Sequence, residues 1–294
     1  MMIAEQLPQY FVSGITAGSI YALIALGFCL IHNATRIVNF AQGEFVMLGA
    51  LTTISFVSDL GFPIWLGAIL SVFIVTAVGL LLEKGPIRHS KDASPLTLIM
   101  ITVGASIAIQ GSGMVIWGKD AHTLPPIGGY HYIRVLNASV IPQTIVIVAV
   151  VTVLLLLLYF FFHRTMVGKA IRAVSENSEG AALIGIPVRA LVTASFGLSG
   201  AIGAIAGILV TPLTTMSYQS GLMLGLKGFA AAILGGFGSF PGAVFGGFLL
   251  GLMESFGAGF VSSTYKDAVA FLVLLAILFC RPQGLFGKVQ VRRV

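Results

Sequence analysis

Apolar runs of about 20 residues, the length that crosses a hydrocarbon core as a helix, recur along this chain between short polar breaks. They predict spans at 9–31, 38–58, 62–82, 94–117, 141–162 and 190–210. The last third follows another pattern, dense in glycine from 221 to 259. An apolar piece at 226–234 is short for a full crossing and is interrupted by Gly235-Gly236-Phe-Gly238-Ser-Phe-Pro241. A second piece covers 242–260, and 267–279 closes the apolar part. Irregular backbone at membrane depth survives only where protein or a water-lined cavity supplies hydrogen-bond partners. A tilted or broken helix therefore fits 226–241. Gly14-xxx-Gly18 in the first span, and Gly242-xxx-Gly246 and Gly247-xxx-Gly251 in a late one, predict faces where neighbouring helices approach closely.

The polar breaks carry most of the remaining information. The longest, HRTMVGKAIRAVSENSEGAALIGIPVR at 163–189, lies between two spans. Lys169, Arg172, Glu176 and Glu179 recur at helical spacing and share a face, with Val167, Ile171, Val174 and Ala181 opposite. Gly185 and Pro187 stop the helix. This island reads as one short amphipathic helix at a membrane surface, lying in lipid headgroups or docked into another protein. The break after the first span runs from His32 to Glu44; Asn39, Gln42 and Glu44 open the second span. Residues 83–93 form a basic loop and 118–140 a longer one with Pro125-Pro126 and Gly128-Gly129.

Composition agrees. The 294 residues are 57% hydrophobic and 9% charged, with mean hydropathy +1.02; soluble domains carry about 25% charged residues. The fold expected is an all-α, polytopic transmembrane bundle of about 8–9 spans, with little length left for a soluble domain. The net charge of +6 comes from basic residues in short loops, an orientation signal and not a nucleic-acid surface. Arg36, Lys84, Arg88, Lys91, Arg164, Lys169, Arg172, Arg189, Arg281, Lys288, Arg292 and Arg293 fall inside if the island faces the cytoplasm. Lys119, Arg134 and Lys266 fall outside, and Lys227 is ambiguous. This puts the N-terminus outside, the C-terminus inside and an odd number of crossings between them, with nine favoured. Cys29 and Cys280 lie within or at the edge of apolar runs and are expected as buried thiols. No removed signal peptide is expected.

Chemistry for an enzyme is missing. Gly113-Met-Val-Ile-Trp-Gly118-Lys119-Asp120 approaches a phosphate loop but lacks its Ser/Thr and lies at the end of a span. No metal-ligand spacing or cofactor motif is present. Glu44 and Glu254 are the carboxylates placed to enter the membrane, where a charge costs about 2.5–3.5 kcal/mol at mid-bilayer. Glu254 is expected to reach the headgroups from a helix end. Glu44, with Arg36, Asn39 and Gln42 nearby, is expected to line a polar cleft; capping of the second span by Asn39 is the alternative.

Four stretches in order are similar to one family. Thr35-Arg-Ile-Val-Asn-Phe-Ala-Gln-Gly-Glu-Phe-Val-Met-Leu-Gly49 resembles the N-terminal signature of LivH-type permeases of branched-chain amino acid ABC importers. Gly168-Lys-Ala-Ile-Arg-Ala-Val through Glu179-Gly-Ala-Ala-Leu-Ile-Gly-Ile-Pro187 resembles their cytoplasmic coupling segment. Gly225 to Gly242 and the closing Arg281-Pro-Gln-Gly-Leu-Phe-Gly287 are similar too. The resemblance covers about 7–287, one permease domain followed by a basic tail at 288–294. It implies a bacterial inner-membrane importer subunit with a second permease, two ABC ATPase subunits, a periplasmic binding protein and surrounding lipid, and no nucleotide site or cofactor of its own. The coupling segment, with Lys169, Arg172, Glu176, Glu179 and Gly185, is expected to meet the ATPase. Asn39, Gln42, Glu44, Gly235 and Gly236 are expected beside the translocation path, the two glycines alternatively against the partner permease. Thr264-Tyr265-Lys266-Asp267 resembles the amino acid branch, so the expected cargo is a branched-chain or other hydrophobic amino acid, against urea, short amides or aromatic acids in related permeases. A stand-alone carrier using Glu44, and a membrane enzyme, are the competing classes.

Overall fold

The computed structural model describes residues 2–90, 93–135, 138–260 and 262–287; the predicted tail and Lys91 lie outside them. The fold is built around helix α1 (Met2–Thr35), whose apolar window is 89% buried inside the protein. Its Gly14 and Gly18 meet Gly247 and Gly251 of α10 (Phe240–Phe260). A methyl group on Gly14 would lie 2.9 Å from the Leu252 Cα, and one on Gly18 2.7 Å from the Phe248 Cα. The small-residue faces expected on the first span and on a late one are thus two sides of one crossing. Lipid tails are as apolar as leucine, so the contact is held by close backbone packing rather than by exclusion of water.

A second crossing zone is centred on α8 (Val188–Val210). Gly200 of α8 packs on the Val75 carbonyl of α3 (Ile64–Leu82), and Gly207 on the Val46 carbonyl of α2 (Gln42–Ile54). Helices α4 (Pro95–Trp117) and α5 (Pro142–Arg164) lie at the periphery, with only 11% and 22% of their apolar windows buried. Both begin with Pro in the first turn, where its missing N–H costs nothing. The Ser94 hydroxyl also caps α4 by accepting from the Thr97 N–H at 3.2 Å.

Among the described residues, six helices are long and apolar enough to cross a membrane, namely α1, α3, α4, α5, α8 and α10. The shorter α9 (Ser220–Gly235) is also apolar. It begins earlier than the expected apolar piece, but at about 1.5 Å per residue it still falls short of a hydrocarbon core of about 30 Å. Helix α11 (Lys266–Cys280) closes the bundle, and its Cys280 is exposed rather than buried; Cys29 in α1 is buried.

Three local expectations need correction. The loop at 83–93 is helical at its start, because α3 runs on into a π-type turn, Glu83–Ile87, which kinks at Gly85 (φ −83°, ψ −106°) ahead of Pro86. The island is two helices, α6 (Met166–Glu176) and α7 (Ser178–Leu183). Asn177 leaves the helical region (φ −150°), and its Oδ1 accepts from the Gly180 N–H at 2.8 Å, capping the second helix. The connection at 118–140 carries a small antiparallel hairpin, β1 (Ile133–Val135) with β2 (Ala138–Val140), so the fold is helical except for these strands among the described residues.

Hydrogen bonds between ends sort the molecule into two faces. The Gln9 side chain bonds the backbone of Ser139, placing the start of α1 on the hairpin face. At the other end of α1, Arg36 donates to the Ser175 carbonyl of α6, and Asn33 Nδ2 donates to the Gly238 carbonyl at 2.9 Å. Arg88 bridges Glu83 and Thr193 at the start of α8, at 2.8 and 2.7 Å. The island, the Gly-rich break and the end of α3 therefore share the opposite face.

Candidate functional site

The segment between α1 and α2 turns back into the bundle. Gly27, about 12 Å before the end of α1, and Ser199, about 16 Å into α8, both touch Gln42 at the start of α2. Residues 37–41 therefore run as non-helical backbone inside protein. Partners are supplied locally: the Phe40 N–H donates to Thr102 Oγ1 at 3.1 Å, and the Ala41 N–H to Asn39 Oδ1 at 3.1 Å. Arg36 makes the turn with φ 61°, a left-handed conformation that a non-glycine residue seldom adopts.

Asn39, Gln42 and Glu44 are all buried, and they do not form one polar wall. Asn39 stabilises the turn that leads into α2. The Gln42 amide lies between α1 and α8: Ser199 Oγ is 2.5 Å from Gln42 Oε1 and 2.9 Å from the Gly27 carbonyl. Glu44 faces α4, where Oε1 accepts from Ser106 Oγ at 3.0 Å, and it closes against Gly221 of α9. Arg36 leaves the group entirely for α6.

The Gly-rich break is packed within the chain. Gly236 has φ 101°, a conformation open to glycine, and a side chain there would run into the Gly287 and Phe286 backbone. The Leu285 and Phe286 N–H groups donate to the Leu234 and Gly235 carbonyls, each at 3.0 Å. The closing Arg281–Gly287 stretch thus satisfies the carbonyls that α9 leaves open at its end. Gly235 packs on Gly242 at the start of α10.

On the island, Ile171, Val174 and Ala181 are buried against the bundle, while Lys169, Arg172, Glu176 and Glu179 are exposed; Val167, expected on the apolar face, is exposed as well, in the first turn of α6. Gly185 follows α7 with φ 84°, the expected left-handed stop.

A cavity of about 420 Å³ opens toward the hairpin face. Its walls are mostly apolar, with Val12, Ala17, Ile20, Val210, Leu213 and Leu224, and carry the hydroxyls of Ser13, Thr16, Thr144 and Thr214. Charge converges at one end. Lys227 Nζ on α9 donates to Glu254 Oε1 on α10 at 2.9 Å and lies 2.8 Å from Asp267 Oδ1 on α11, the latter a charge contact without hydrogen-bond alignment. Tyr21 on α1 donates its hydroxyl to Glu254 Oε2 at 2.6 Å, and Lys266 Nζ lies 3.4 Å from Oε1. The Lys227 and Glu254 side chains are only 13% and 8% exposed. Removing one partner of such a buried pair costs about 3–5 kcal/mol, since the other charge is left unmatched. Glu254 is therefore not a headgroup residue. Its partners come from three other helices, α1, α9 and α11, but a lysine and a glutamate in neighbouring Gly-rich runs were a legible hint that each needs an opposite charge.

Residues 10–278 match the family described as the permease component of branched-chain amino acid transport systems. The chain is 31% identical to the high-affinity branched-chain amino acid transport system permease protein LivH of Salmonella typhimurium and 32% identical to BraD of Pseudomonas aeruginosa, covering 97% of both chains in each case. The probable branched-chain amino acid transport permease protein LivH of Methanocaldococcus jannaschii is 28% identical, over 92% of this chain and 89% of that one. In structure, the chain resembles one in the complex of PsaBC from Streptococcus pneumoniae with Fab, with TM-score 0.53 and 16% identity, over 94% of this chain and 92% of that one; this likeness concerns the fold. Nearly full-length similarity joins a helical, multi-pass architecture, and the chain belongs to the permease components of branched-chain amino acid ABC transport systems, a transporter family and not an enzyme family.

Proposed function

We propose that this chain forms half of the translocation path of a binding-protein-dependent importer in a bacterial inner membrane, carrying branched-chain or other hydrophobic amino acids. The observation that carries the reading is the cavity, open toward the hairpin face and built of apolar walls with a few polar groups. A hydrophobic amino acid asks for that mixture, because its side chain is apolar and its backbone is charged. A periplasmic binding protein delivers cargo on the hairpin face. Two ABC ATPases dock on the island face, through Lys169, Arg172, Glu176 and Glu179, with Gly185 fixing where α7 ends. A second permease subunit covers the exposed flank and completes the path.

The basic loops orient the chain with its N-terminus outside and C-terminus inside. Nine crossings then follow if α2 and α11 join the six long helices and α9. A single permease domain spans 7–287. Asn39, Gln42 and Glu44 sit below the cavity as its closed inner seal, exposed when the transporter turns inward, and Gly235 and Gly236 brace the same face. LivH and BraD, by their names, serve high-affinity branched-chain amino acid transport, which supports the cargo class.

Gentle solubilisation of the tagged chain should co-purify an ATPase, and the reconstituted complex should take up L-leucine from its loaded binding protein only with ATP. A chain that purifies alone and accumulates leucine under an ion gradient would establish the stand-alone carrier instead.

A further inference from the structure

We propose that the Lys227–Glu254 pair is the binding site for the zwitterionic head of the transported molecule, and that the closed ion pair selects molecules carrying both charges. This rests on reading the cavity as the outward half of the path.

The geometry supplies both halves of such a site. Lys227 Nζ and Glu254 Oε1, 2.9 Å apart, border the cavity between α9 and α10. An α-carboxylate in the cavity takes the place of Glu254 on Lys227; its α-ammonium takes the place of Lys227 on Glu254. Each buried charge keeps an opposite partner throughout the exchange. An amine satisfies Glu254 but leaves Lys227 only the unaligned contact with Asp267, and a carboxylic acid leaves Glu254 only Lys266 at 3.4 Å among its opposite charges, so either loses a hydrogen-bonded ion partner that the zwitterion restores. A neutral amide replaces neither charge. The remaining contacts hold the two groups in place while they exchange. Tyr21 retains Glu254 Oε2 at 2.6 Å, Asp267 stays 2.8 Å from Lys227, and Lys266 stays 3.4 Å from Glu254 Oε1. The ligand's two charges give up water to make these contacts, which offsets most of the gain and keeps binding weak, as a path needs. The apolar walls at Ile20, Leu213 and Leu224 receive the side chain.

The test is thiol protection in the assembled importer, reconstituted in proteoliposomes. Leu224, one turn from Lys227 on α9, becomes the reporter as Leu224→Cys in a Cys280→Ser background, since Cys280 is exposed and Cys29 buried. L-leucine at high concentration should slow labelling by a small hydrophilic thiol reagent at least threefold. Isoamylamine, 4-methylpentanoate and 4-methylpentanamide, each lacking one charge or both, should not. A single neutral substitution strands a buried charge, so the control is Lys227→Gln with Glu254→Gln, which removes one charge of each sign. The double variant should still assemble, read by co-purification of the other subunits, while leucine protection disappears. Equal protection by the amine, the acid or the amide overturns the proposal, as does labelling indifferent to leucine or protection that persists in the double variant. Loss of assembly in the double variant shifts the control to Glu254→Asp, which keeps both charges but draws the carboxylate back from Lys227 and should weaken leucine protection; undiminished protection also overturns the proposal. Importer function is read separately by ATP-driven leucine uptake. If uptake holds and protection fails, the zwitterion site is wrong and the importer reading stands.

Discussion

At the scale of single residues, Gln42 shows how differently a polar side chain in a span can be used. Its position at the head of the second span suggested a path residue. The structure buries the amide between Gly27 and Ser199, where it joins three helices. Both roles are compatible if the seal opens during transport, and they separate experimentally. Gln42→Ala removes the bridge while leaving Ser199 its bond to the Gly27 carbonyl, so it should lower stability by about 1–3 kcal/mol. That appears as a lower thermal midpoint of the purified complex. A Gln42→Cys thiol, in the Cys280→Ser background, should be unreactive in the resting transporter and labelled in one nucleotide state. If no nucleotide state exposes it, Gln42 is a structural bridge and leaves the path.

Elements are where the sequence was most and least informative. The long helices were legible because a run of apolar residues in a bilayer has one cheap solution, with every backbone group bonded within the segment. The small-residue faces of α1 and α10 were legible as well, although nothing in either stretch said that they meet each other. Partners for charge were not legible: Lys227, Glu254, Tyr21 and Asp267 come from four helices, and only packing brings them together. The re-entrant start of α2 escaped for a related reason, since Ile37 to Ala41 is apolar enough to pass for helix and is held open by Thr102 from α4. The island broke in two because Asn177 is a better cap than a helix interior residue. The same scale yields two predictions. Gly236→Leu should abolish assembly, and so should deletion of the closing stretch from Arg281, because each destroys the pairing of Leu285 and Phe286 with the end of α9. Normal expression and uptake after either change would make the pairing dispensable. On the island, Arg172→Ala with Glu176→Ala should leave the complex folded while ATP hydrolysis no longer drives uptake. Unchanged substrate-stimulated ATPase and normal uptake would mean that the polar face merely meets water.

For the whole molecule, the importer reading requires that its two faces lie on opposite sides of a membrane. The hairpin face carries the ends of α4 and the start of α5, and the cavity opens there. The island face carries α6, α7, the end of α3 and the Gly-rich break, tied together through Arg36, Asn33 and Arg88. These ties are internal to the fold and hold whichever way the protein inserts. Orientation is set by charge, since Lys and Arg beside short loops stay in the cytoplasm. The island supplies Arg164, Lys169, Arg172 and Arg189, against Lys119 and Arg134 in the hairpin connection. A membrane-impermeant thiol reagent reads the outcome directly. In the Cys280→Ser background, Lys119→Cys should be labelled in intact spheroplasts, and Arg164→Cys only after the membrane is opened; both positions are exposed in the fold. The opposite pattern would turn the transporter round and make it unable to receive cargo from a periplasmic binding protein. Labelling of both from outside would mean that α5, although 23 residues long, does not cross. Either result would end the importer reading, because cargo must enter through the cavity on one face while the ATPases act on the other.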